Sequence, residues 1–396
     1  MRIGLAKPDW GISGGFEVLL DRVIDHLEGQ GHDVVPLVVD GVAPDRVVDG
    51  VTVSDTEWDD APMAWAYRSL TSRFRRVDTA GLDMVVTTQP GSWAVEHPRK
   101  LALFYHHHRL AYDLEYTVEM LGMDPGQHER EARMIRATDA AFVDSIRHYL
   151  VPSKTVAARL RRYWGVDDAA MTSYLAGPIS AVATAAPTAD RADDRTGESV
   201  LCVSRSEFPK RTELFVAAAH EGFDATAHLV GGGGQLGSVR RWAAEKSAGL
   251  DVHPRPWERE PVHERVEVTV PDEPVTIHGR LSDAELLGRY REAAALVAPA
   301  LDEDYGLTVL EAFTHGVPAV VCDDGGGLVE FVDPGRNGLV AEAEPAAIAE
   351  AVRRIVGDAG LARSLRRGAL DTADTFTWER AHRQLDTAVA ATMESA

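Results

Sequence analysis

The chain has 396 residues, 45% of them hydrophobic, and 41 basic against 62 acidic side chains give a formal net charge of −21 at pH 7. This apolar content excludes a disordered chain, and the length suits about two domains, each with its own core. An anionic surface repels phosphate backbones and anionic lipid, which argues against a nucleic-acid partner and for peripheral membrane contact at most.

The cellular compartment is indicated by the cysteines and by the N-terminal residues. Cys202 and Cys322 lie inside apolar runs far apart in the sequence, which is typical of buried thiols in a reducing compartment. Residues 1–6 resemble a strand and not a signal peptide, and no window approaches the ~20 apolar residues that span a bilayer. We therefore expect a cytoplasmic protein.

The first 40 residues predict a strand, a loop, a helix and a second strand. An apolar run at 2–6 is followed by Gly14-Gly15, by helical spacing over 18–27 and by an apolar run at 34–39. This order is typical of a parallel β-α-β unit. Further strands are predicted at 84–88, 101–105 and 149–152.

A second series of elements follows a break in the pattern. Residues 177–199 are rich in Ala, Thr, Pro and Asp without periodicity, which indicates a linker. Parallel strands are then predicted at 199–203, 227–230, 275–277, 295–298 and 319–321, and the polar stretch 240–274 is predicted to hold an insertion. We expect two doubly wound, Rossmann-like α/β domains facing a central cleft, with a first domain over 1–180, a linker over 181–198 and a second domain over 199–375.

The most informative segment is residues 299–316, with the sequence PALDEDYGLTVLEAFTHG. Glu303 is predicted in the loop after a strand, and Glu311 about one turn into the next helix. Carboxylates at the carboxyl end of a parallel sheet can accept hydrogen bonds from the vicinal hydroxyls of a sugar. The alternatives are solvated carboxylates at a helix start or, for the acidic triplet 302–304, a metal site.

Together with residues 324–330 (DGGGLVE) and 337–340 (NGLV), this segment resembles the paired-glutamate motif of the family 4 retaining glycosyltransferases, also described as glycosyl transferases group 1. These have the GT-B fold. The resemblance implies that Glu303 contacts the transferred sugar, that Glu311 holds the nucleotide ribose, and that the donor also meets Gly306, Leu307 and Leu328. It further implies that a helix over 376–393 returns to the first domain.

Two basic residues after the strand 199–203 are candidates for charge stabilisation. Arg205 and Lys210 resemble the family's Arg and Lys pair, which implies that they stabilise the leaving diphosphate in place of a metal. Arg211 stands where the family usually has glycine, so its side chain could assist or point outward. The alternative for the pair is a solubilising helix start.

Glycine clusters are expected to supply backbone N–H groups to the diphosphate. Gly326-Gly327 lead into a short helix beginning near Leu328, and Gly14-Gly15 resemble the family's diglycine loop. Gly231 and Gly233 match its strand-end glycines on the nucleotide-base side. Taken alone, each cluster is equally typical of a tight turn.

The triplet His106-His107-His108 follows a predicted strand of the first domain. The resemblance implies one histidine here that hydrogen-bonds the donor sugar, and the alignment favours His107, with His106 left open. A zinc site is the rival, but adjacent strand residues alternate faces and cannot converge as three ligands.

The resemblance implies a metal-independent glycosyltransferase that moves a hexosyl group, with retention, from a UDP or GDP sugar to a hydroxyl on a small molecule, a glycan or a lipid-linked acceptor. No cofactor is expected. The alternatives are a sugar-nucleotide epimerase, a phosphorylase on the same fold, or a catalytically silent sugar-nucleotide-binding subunit.

Four tryptophans could stack on an acceptor or pack in the core: Trp10, Trp58, Trp65 and Trp93. The basic run over 147–162 is expected to be a solvated helix face.

Overall fold

The computed structural model describes residues 1–11, 14–114, 118, 122–178, 197–250, 252–256 and 274–394. The chain forms two compact units, one of Met1–Ala176 with the C-terminal residues from Trp378 onward, and one of Gly177–Thr377. We call them the N-terminal and the C-terminal unit. Nearly all of the predicted linker 181–198, and residues 257–273 of the predicted insertion, lie outside the described residues.

The N-terminal unit contains a six-stranded parallel sheet. Numbered along the chain, the strands of this unit are β1 (Arg2–Asp9), β2 (Asp33–Asp40), β3 (Val47–Val48), β4 (Val51–Thr52), β5 (Met84–Thr87), β6 (Lys100–Leu103), β7 (His148–Val151) and β8 (Met171–Ser173). The sheet order is β2-β1-β5-β6-β7-β8, and β3 pairs with β4 in a separate antiparallel hairpin. Strands β5, β6 and β7 are buried along their whole length, which is typical of a sheet covered on both faces.

Among the described residues, five α-helices accompany this sheet before the chain enters the second unit. They are α1 (Gly15–Gly29), α2 (Asp55–Asp60), α3 (Pro62–Arg75), α4 (Pro125–Ala140) and α5 (Lys154–Trp164). Helix α1 buries Leu19, Leu20, Val23 and Leu27, the one-sided spacing that identified it in the sequence.

The C-terminal unit repeats the architecture. Its strands are β9 (Ser199–Val203), β10 (Thr226–Val230), β11 (Val275–Gly279), β12 (Ala293–Ala298), β13 (Ala319–Cys322) and β14 (Gly338–Ala341). Its helices are α6 (Thr212–His220), α7 (Leu236–Ser247), α8 (Asp283–Glu292), α9 (Leu307–Thr314), α10 (Pro345–Gly357) and α11 (Ala359–Ala373).

The strand order of this second sheet determines where a ligand can bind. The order is β11-β10-β9-β12-β13-β14, with every pair parallel. The chain runs outward from β9 to β10 and β11, then returns to the other side of β9 with β12. The loops after β9 and β12 therefore leave the sheet side by side at a topological switch point, the usual ligand position in such folds.

The last helix, α12 (Trp378–Glu394), belongs to the N-terminal unit. It packs against β6, β7 and β8. The Leu175 N–H donates to Oε1 of Gln384 at 2.8 Å, and His26 Nε2 lies 2.7 Å from Oδ1 of Asp386.

The predicted doubly wound α/β architecture is confirmed, and most predicted strands lie within two residues of the observed ones. Helices were predicted between the strands of the first domain without bounds, and α3 and α4 lie there. The start of the stretch predicted as an insertion is part of helix α7, which corrects that interpretation. Within the described residues, no helix combines the length and apolar content needed to cross a bilayer.

Candidate active site

Three loops meet at the carboxyl end of the C-terminal sheet. We call them the β9 loop (204–211), the β12 loop (299–306) and the β13 loop (323–328). The Leu301 N–H donates to the Pro209 carbonyl at 3.0 Å, and the Asp302 N–H to the Asp324 carbonyl at 2.8 Å. Backbone hydrogen bonds thus join the β12 loop to both of its neighbours.

The three loops bring together Lys210 and Glu303, the two residues predicted to act on the diphosphate and the sugar. Their side chains form an ion pair between the Lys210 Nζ and Oε2 of Glu303. Both remain partly accessible, with 23% and 22% of the side chains exposed. A ligand atom entering here therefore meets an ammonium and a carboxylate at once, while the roles assigned to them stay predictions.

Arg205, the second predicted cation, lies on the same β9 loop and is exposed. Among the described residues, no carboxylate lies within ion-pair distance of its guanidinium. Because this charge is not neutralised by a carboxylate of the described chain, it is suited to an anionic ligand.

The side chain of Arg211 does not point outward, which corrects one of its two expected placements. It is buried, and its Nη1 donates to Oδ2 of Asp324 at 2.9 Å while its Nε donates to the Pro299 carbonyl at 2.8 Å. Arg211 thus links all three loops. Asp324 is the first residue of the motif DGGGLVE. Arg211 lies 113 positions away in the chain, so no local pattern indicated that the two residues pair.

The glycines of the β13 loop are required by close backbone contact with the β12 loop. Gly326 has a left-handed φ of +60°, and a Cβ there would lie 2.8 Å from the backbone nitrogen of Glu303. A Cβ on Gly327 would lie 2.7 Å from the Asp304 carbonyl oxygen. Larger residues would separate the two loops that carry Glu303 and Asp324.

Only part of the predicted set of N–H donors is available in this loop. The Gly327 N–H donates to the Glu303 carbonyl at 2.7 Å, and the Leu328 N–H to the Gly325 carbonyl at 3.2 Å. The Gly326 N–H has no acceptor among the described residues. The helix that follows is a single 3-10 turn, Val329–Phe331, so its dipole is much smaller than expected.

Gly231 and Gly233 have a similar structural role beside the β9 loop. Their φ angles are +140° and +138°, which side chains rarely adopt, and a Cβ on Gly231 would lie 1.9 Å from the Ser204 carbonyl oxygen. A Cβ on Gly233 would lie 2.4 Å from the Ser206 carbonyl oxygen. They allow the β10 end to pack directly on the loop that carries Arg205 and Lys210.

Glu311, the predicted ribose ligand, is the fifth residue of α9 and is largely buried. The hydroxyl of Tyr290 donates to its Oε2 at 3.5 Å. Burial raises the pKa of Tyr290, and the nearby Glu311 carboxylate raises it further. The hydroxyl therefore stays protonated and can donate its hydrogen. The sequence did not reveal this neighbour of Glu311, because Tyr290 lies on α8 and only the tertiary fold brings the two residues together.

The first turn of α9 begins directly after the acidic part of the motif. Gly306 is its N-cap and Leu307 its first residue. A Cβ on Gly306 would lie 2.9 Å from the ring of Phe331 and 3.0 Å from the side chain of Leu328. Glycine at 306 therefore lets the 3-10 turn pack against the start of α9.

The diglycine Gly14-Gly15 forms the start of α1, with Gly15 as the first helical residue. The Gly14 N–H donates to Oε2 of Glu17 at 2.7 Å. The expected phosphate donor is therefore occupied by a carboxylate of its own helix. Residues 12 and 13 lie outside the described residues.

The histidine triplet has a different arrangement from the expected one. His107 is only 1% exposed, because its ring stacks on Tyr112 at 4.2 Å and its Nδ1 lies 3.9 Å from Oδ1 of Asp113. His107 is therefore enclosed by its neighbours, whereas His106 is half-buried and more accessible. Which of the two meets a donor sugar stays a prediction. Burial lowers the pKa of His108 to about 4.

The zinc alternative, which strand geometry argues against, requires three converging imidazole rings. The Nδ1 of His106 lies 2.9 Å from the His107 carbonyl oxygen, and the ring of His108 contacts Tyr67 edge to face. The three rings thus have separate neighbours. Among the described residues, no group of three or more His, Cys, Asp or Glu side chains is arranged to hold a metal ion.

The tryptophans and the basic run separate into surface and core. Trp93 and Trp58 are buried, whereas Trp10 is 39% exposed and its Nε1 donates to Oε1 of Gln89 at 2.9 Å.

In α5, which belongs to the basic run, Arg159 points inward to Oδ2 of Asp113 at 2.9 Å. The predicted fully solvated basic face is therefore wrong at this residue.

Comparison with known families gives matches to both units. Residues 197–358 match the family described as "Glycosyl transferases group 1", and residues 13–172 match "Glycosyltransferase Family 4". Together the two matched segments span most of the chain.

Comparison with individual proteins gives partial sequence matches and a full-length fold match. A D-inositol 3-phosphate glycosyltransferase of Nocardioides sp. is 41% identical over 102 residues, which are 25% of this chain and 22% of that protein. A GDP-mannose-dependent alpha-(1-6)-phosphatidylinositol dimannoside mannosyltransferase of Mycobacterium tuberculosis is 34% identical over 145 residues, 36% of this chain and 37% of that protein. A sucrose-phosphate synthase structure from Thermosynechococcus elongatus has a TM-score of 0.67 at 18% identity, covering 98% of this chain and 97% of that one.

These results establish family and fold. The matched segments span only about a fifth to two fifths of the two curated relatives' own length. The similarity to the synthase structure extends over nearly the whole of both chains and shows a common fold. The predicted family and the GT-B fold, with its two Rossmann-like units, are thus confirmed, and the chain belongs to the family 4 glycosyltransferases.

Proposed function

We propose that this chain is a retaining glycosyltransferase that moves a hexosyl group from a nucleoside diphosphate sugar to a hydroxyl acceptor. The observation that carries this proposal is the partly exposed Lys210–Glu303 ion pair, held between three hydrogen-bonded loops at the switch point of the C-terminal sheet. Such a pair offers a cation to a phosphate oxygen and a carboxylate to sugar hydroxyls within one small space.

The proposed chemistry is breakage of the bond between the anomeric carbon and the β-phosphate oxygen. Negative charge then grows on the diphosphate, where Lys210, Arg205 and the Gly326 N–H would stabilise it. The acceptor oxygen forms the new bond on the same face of the sugar. Its proton passes to the departing phosphate oxygen, so the products are a glycoside and a nucleoside diphosphate.

The family membership and the relatives' names support this donor class. The mycobacterial relative is named for GDP-mannose, and the chain shares 34% identity with it over 145 residues. We infer a UDP or GDP sugar as the donor. In the same proposal Glu311 accepts hydrogen bonds from the ribose hydroxyls, and its contact with Tyr290 fixes the direction of its carboxylate.

The proposal includes metal independence, because Lys210 and Arg205 supply positive charge for a diphosphate. Turnover in a chelating buffer with EDTA should equal turnover in a buffer with added magnesium. Loss of activity with EDTA that magnesium restores would overturn this part of the proposal and leave the transfer reaction intact.

The transfer itself is tested by mass spectrometry of the purified full-length chain with a panel of sugar nucleotides, each with and without candidate hydroxyl acceptors. A transferase releases a nucleoside diphosphate in step with a glycosylated acceptor. An epimerase converts the donor sugar without an acceptor, and a phosphorylase needs inorganic phosphate and forms a sugar phosphate. Nucleotide binding with no conversion of any donor would favour the catalytically silent subunit.

A further inference from the structure

We propose that Arg211 is a positioning residue for the diphosphate, because it clamps and neutralises Asp324 at the start of the β13 loop. This inference rests on the proposed function, since it names a residue that prepares the same site. It concerns a side chain that stands where the resembled family usually has glycine.

The backbone of Arg211 explains why glycine suits this position. Its φ and ψ are +51° and +43°, the left-handed region that side chains rarely adopt. An arginine in this conformation needs compensation from its side-chain contacts. Those contacts are the evidence for its role.

The guanidinium of Arg211 binds two loops at once. Its Nη1 and Nη2 donate to the two carboxylate oxygens of Asp324 at 2.9 and 2.5 Å, and its Nε donates to the Pro299 carbonyl at 2.8 Å. The side chain is 7% exposed, whereas that of Asp324 is 40% exposed. A bidentate pair of this kind fixes both the distance and the orientation of the carboxylate.

Through Asp324 the clamp reaches the residues of the candidate active site. The Asp324 carbonyl accepts the Asp302 N–H at 2.8 Å, and the Gly325 carbonyl accepts the Glu303 N–H at 3.1 Å. Glu303 in turn pairs with Lys210, the residue that precedes Arg211. The hydrogen bonds therefore close a ring through all three loops, and release of Arg211 would loosen it at the point next to Gly326.

The charge of Asp324 gives the clamp a second effect. Asp323 and Asp324 both precede the glycines expected to approach a diphosphate, and an uncompensated carboxylate there would repel that anion. Because the guanidinium of Arg211 neutralises Asp324, the β13 loop can present the Gly326 N–H without the repulsion of that carboxylate.

The test uses four full-length variants, R211G, R211K, D324A and the double variant R211G/D324A. Calorimetric titration with UDP and with GDP gives their affinities, and thermal melting verifies that each is folded. Glycine suits the backbone conformation at 211. We nevertheless expect R211G to weaken binding of the preferred nucleotide at least about 10-fold, because the β13 loop loses its fixed position. Lysine cannot form the bidentate contact, so R211K should bind no better than R211G.

The double variant separates positioning from direct contact. If Arg211 acts through Asp324, R211G should change the affinity by less than about 3-fold when Asp324 is already alanine. An equal loss in both backgrounds would mean that Arg211 meets the nucleotide itself, and wild-type affinity in R211G would mean that the clamp is not needed. Either result overturns the inference.

A matched control and a second readout keep this test distinct from that of the proposed function. Arg353 also binds a carboxylate and two carbonyl oxygens in the C-terminal unit, and R353A should leave nucleotide affinity unchanged. Hydrogen–deuterium exchange without nucleotide should increase over residues 323–328 in R211G and not in R353A. Wild-type protein that binds neither UDP nor GDP would reject the donor class, whereas unchanged exchange in R211G would reject the clamp.

Discussion

At the scale of single residues, the proposed chemistry depends on a lysine and a glutamate from different loops. Lys210 and Glu303 are 93 positions apart in the chain and form an ion pair between partly buried side chains. A pair of this kind compensates part of the desolvation of both charges and keeps them in one place. In the proposed reaction each partner then meets a different part of the donor, the phosphate for Lys210 and the sugar for Glu303.

Replacement of Lys210 or Glu303 by alanine should reduce turnover by at least about two orders of magnitude, because each removes charge stabilisation at the reacting group. Steady-state kinetics of sugar transfer would measure this effect. Lys246→Ala and Glu342→Ala, which change the same residue types elsewhere in the C-terminal unit, are the matched controls. Near-normal turnover in both active-site variants would remove the assignment.

At the scale of elements, a buried carboxylate ties helices α3 and α4 together. Asp139 of α4 accepts hydrogen bonds from the hydroxyl of Tyr67 on α3, from the Trp93 Nε1 at 2.9 Å and from the Tyr112 hydroxyl at 2.8 Å. Tyr112 also stacks on His107, so this network supports the buried histidine. Burial raises the pKa of Asp139 from 3.8 to about 6, although its three donors act in the opposite direction.

This raised pKa predicts a pH effect with a definite sign. Between about pH 4 and pH 6 the folded chain keeps a proton that the unfolded chain has lost, so the Asp139 contribution to the free energy of unfolding decreases as the pH rises. Asp139→Asn should remove this decrease. Its loss of stability should therefore be largest near pH 4, at about 1–3 kcal/mol because one buried donor loses its acceptor, and should shrink as the pH rises to 7.

Chemical denaturation of both proteins from pH 4 to pH 7 would measure the effect. His108 titrates in the same range with the opposite sign, since its pKa is lowered to about 4. The quantity that isolates Asp139 is therefore the difference in unfolding free energy between wild type and variant at each pH. A difference that does not change with pH would contradict the prediction.

The strands of the C-terminal sheet contain both cysteines. Cys202 lies in β9 and Cys322 in β13, and both are buried free thiols, as predicted. Burial raises the pKa of the Cys322 thiol to about 12 and raises that of Cys202 as well. Both thiols are therefore protonated and shielded, which removes their nucleophilic form.

The native protein should therefore react slowly with Ellman's reagent, and two thiols per chain should react rapidly once it is unfolded in denaturant. Absorbance of the released thiolate gives the rate and the number. Rapid reaction of one thiol in the folded protein would show that its strand opens readily or that the thiol is exposed.

At the scale of the whole molecule, the charge of −21 limits the partners of the chain. The only strongly basic helix identified in the sequence, α5, uses Arg159 internally for Asp113, and Arg161 lies 3.3 Å from Asp168. Part of its positive charge is thus paired within the described chain, although Lys154 and Arg162 are exposed.

The chain should not sediment with vesicles of mixed phosphatidylcholine and phosphatidylserine at physiological salt, because the net charge opposes binding. Co-sedimentation measures the bound fraction, and uncharged phosphatidylcholine vesicles serve as the control. Binding that requires phosphatidylserine and is lost at high salt would contradict this prediction and indicate a local basic patch.

The sequence by itself determined the class of fold, the family and the motifs. Apolar runs of four to six residues, helical spacing in α1 and the segment 299–316 are local patterns, and local patterns specify strands, helices and the loops between them. The glycines at 231, 233, 326 and 327 were also visible, although the sequence did not show that backbone contact between loops requires them.

Only the tertiary structure decided how these residues pair. Two contacts join parts of the chain that no local pattern connects: Arg211 with Asp324, and Tyr290 with Glu311. The burial of His107 depends on which side of a strand end faces the core. The physical reason is that hydrogen bonds and burial depend on distances in space. Those distances follow from the order of strands in each sheet. That order is a property of the tertiary fold, and no local stretch of the sequence shows it.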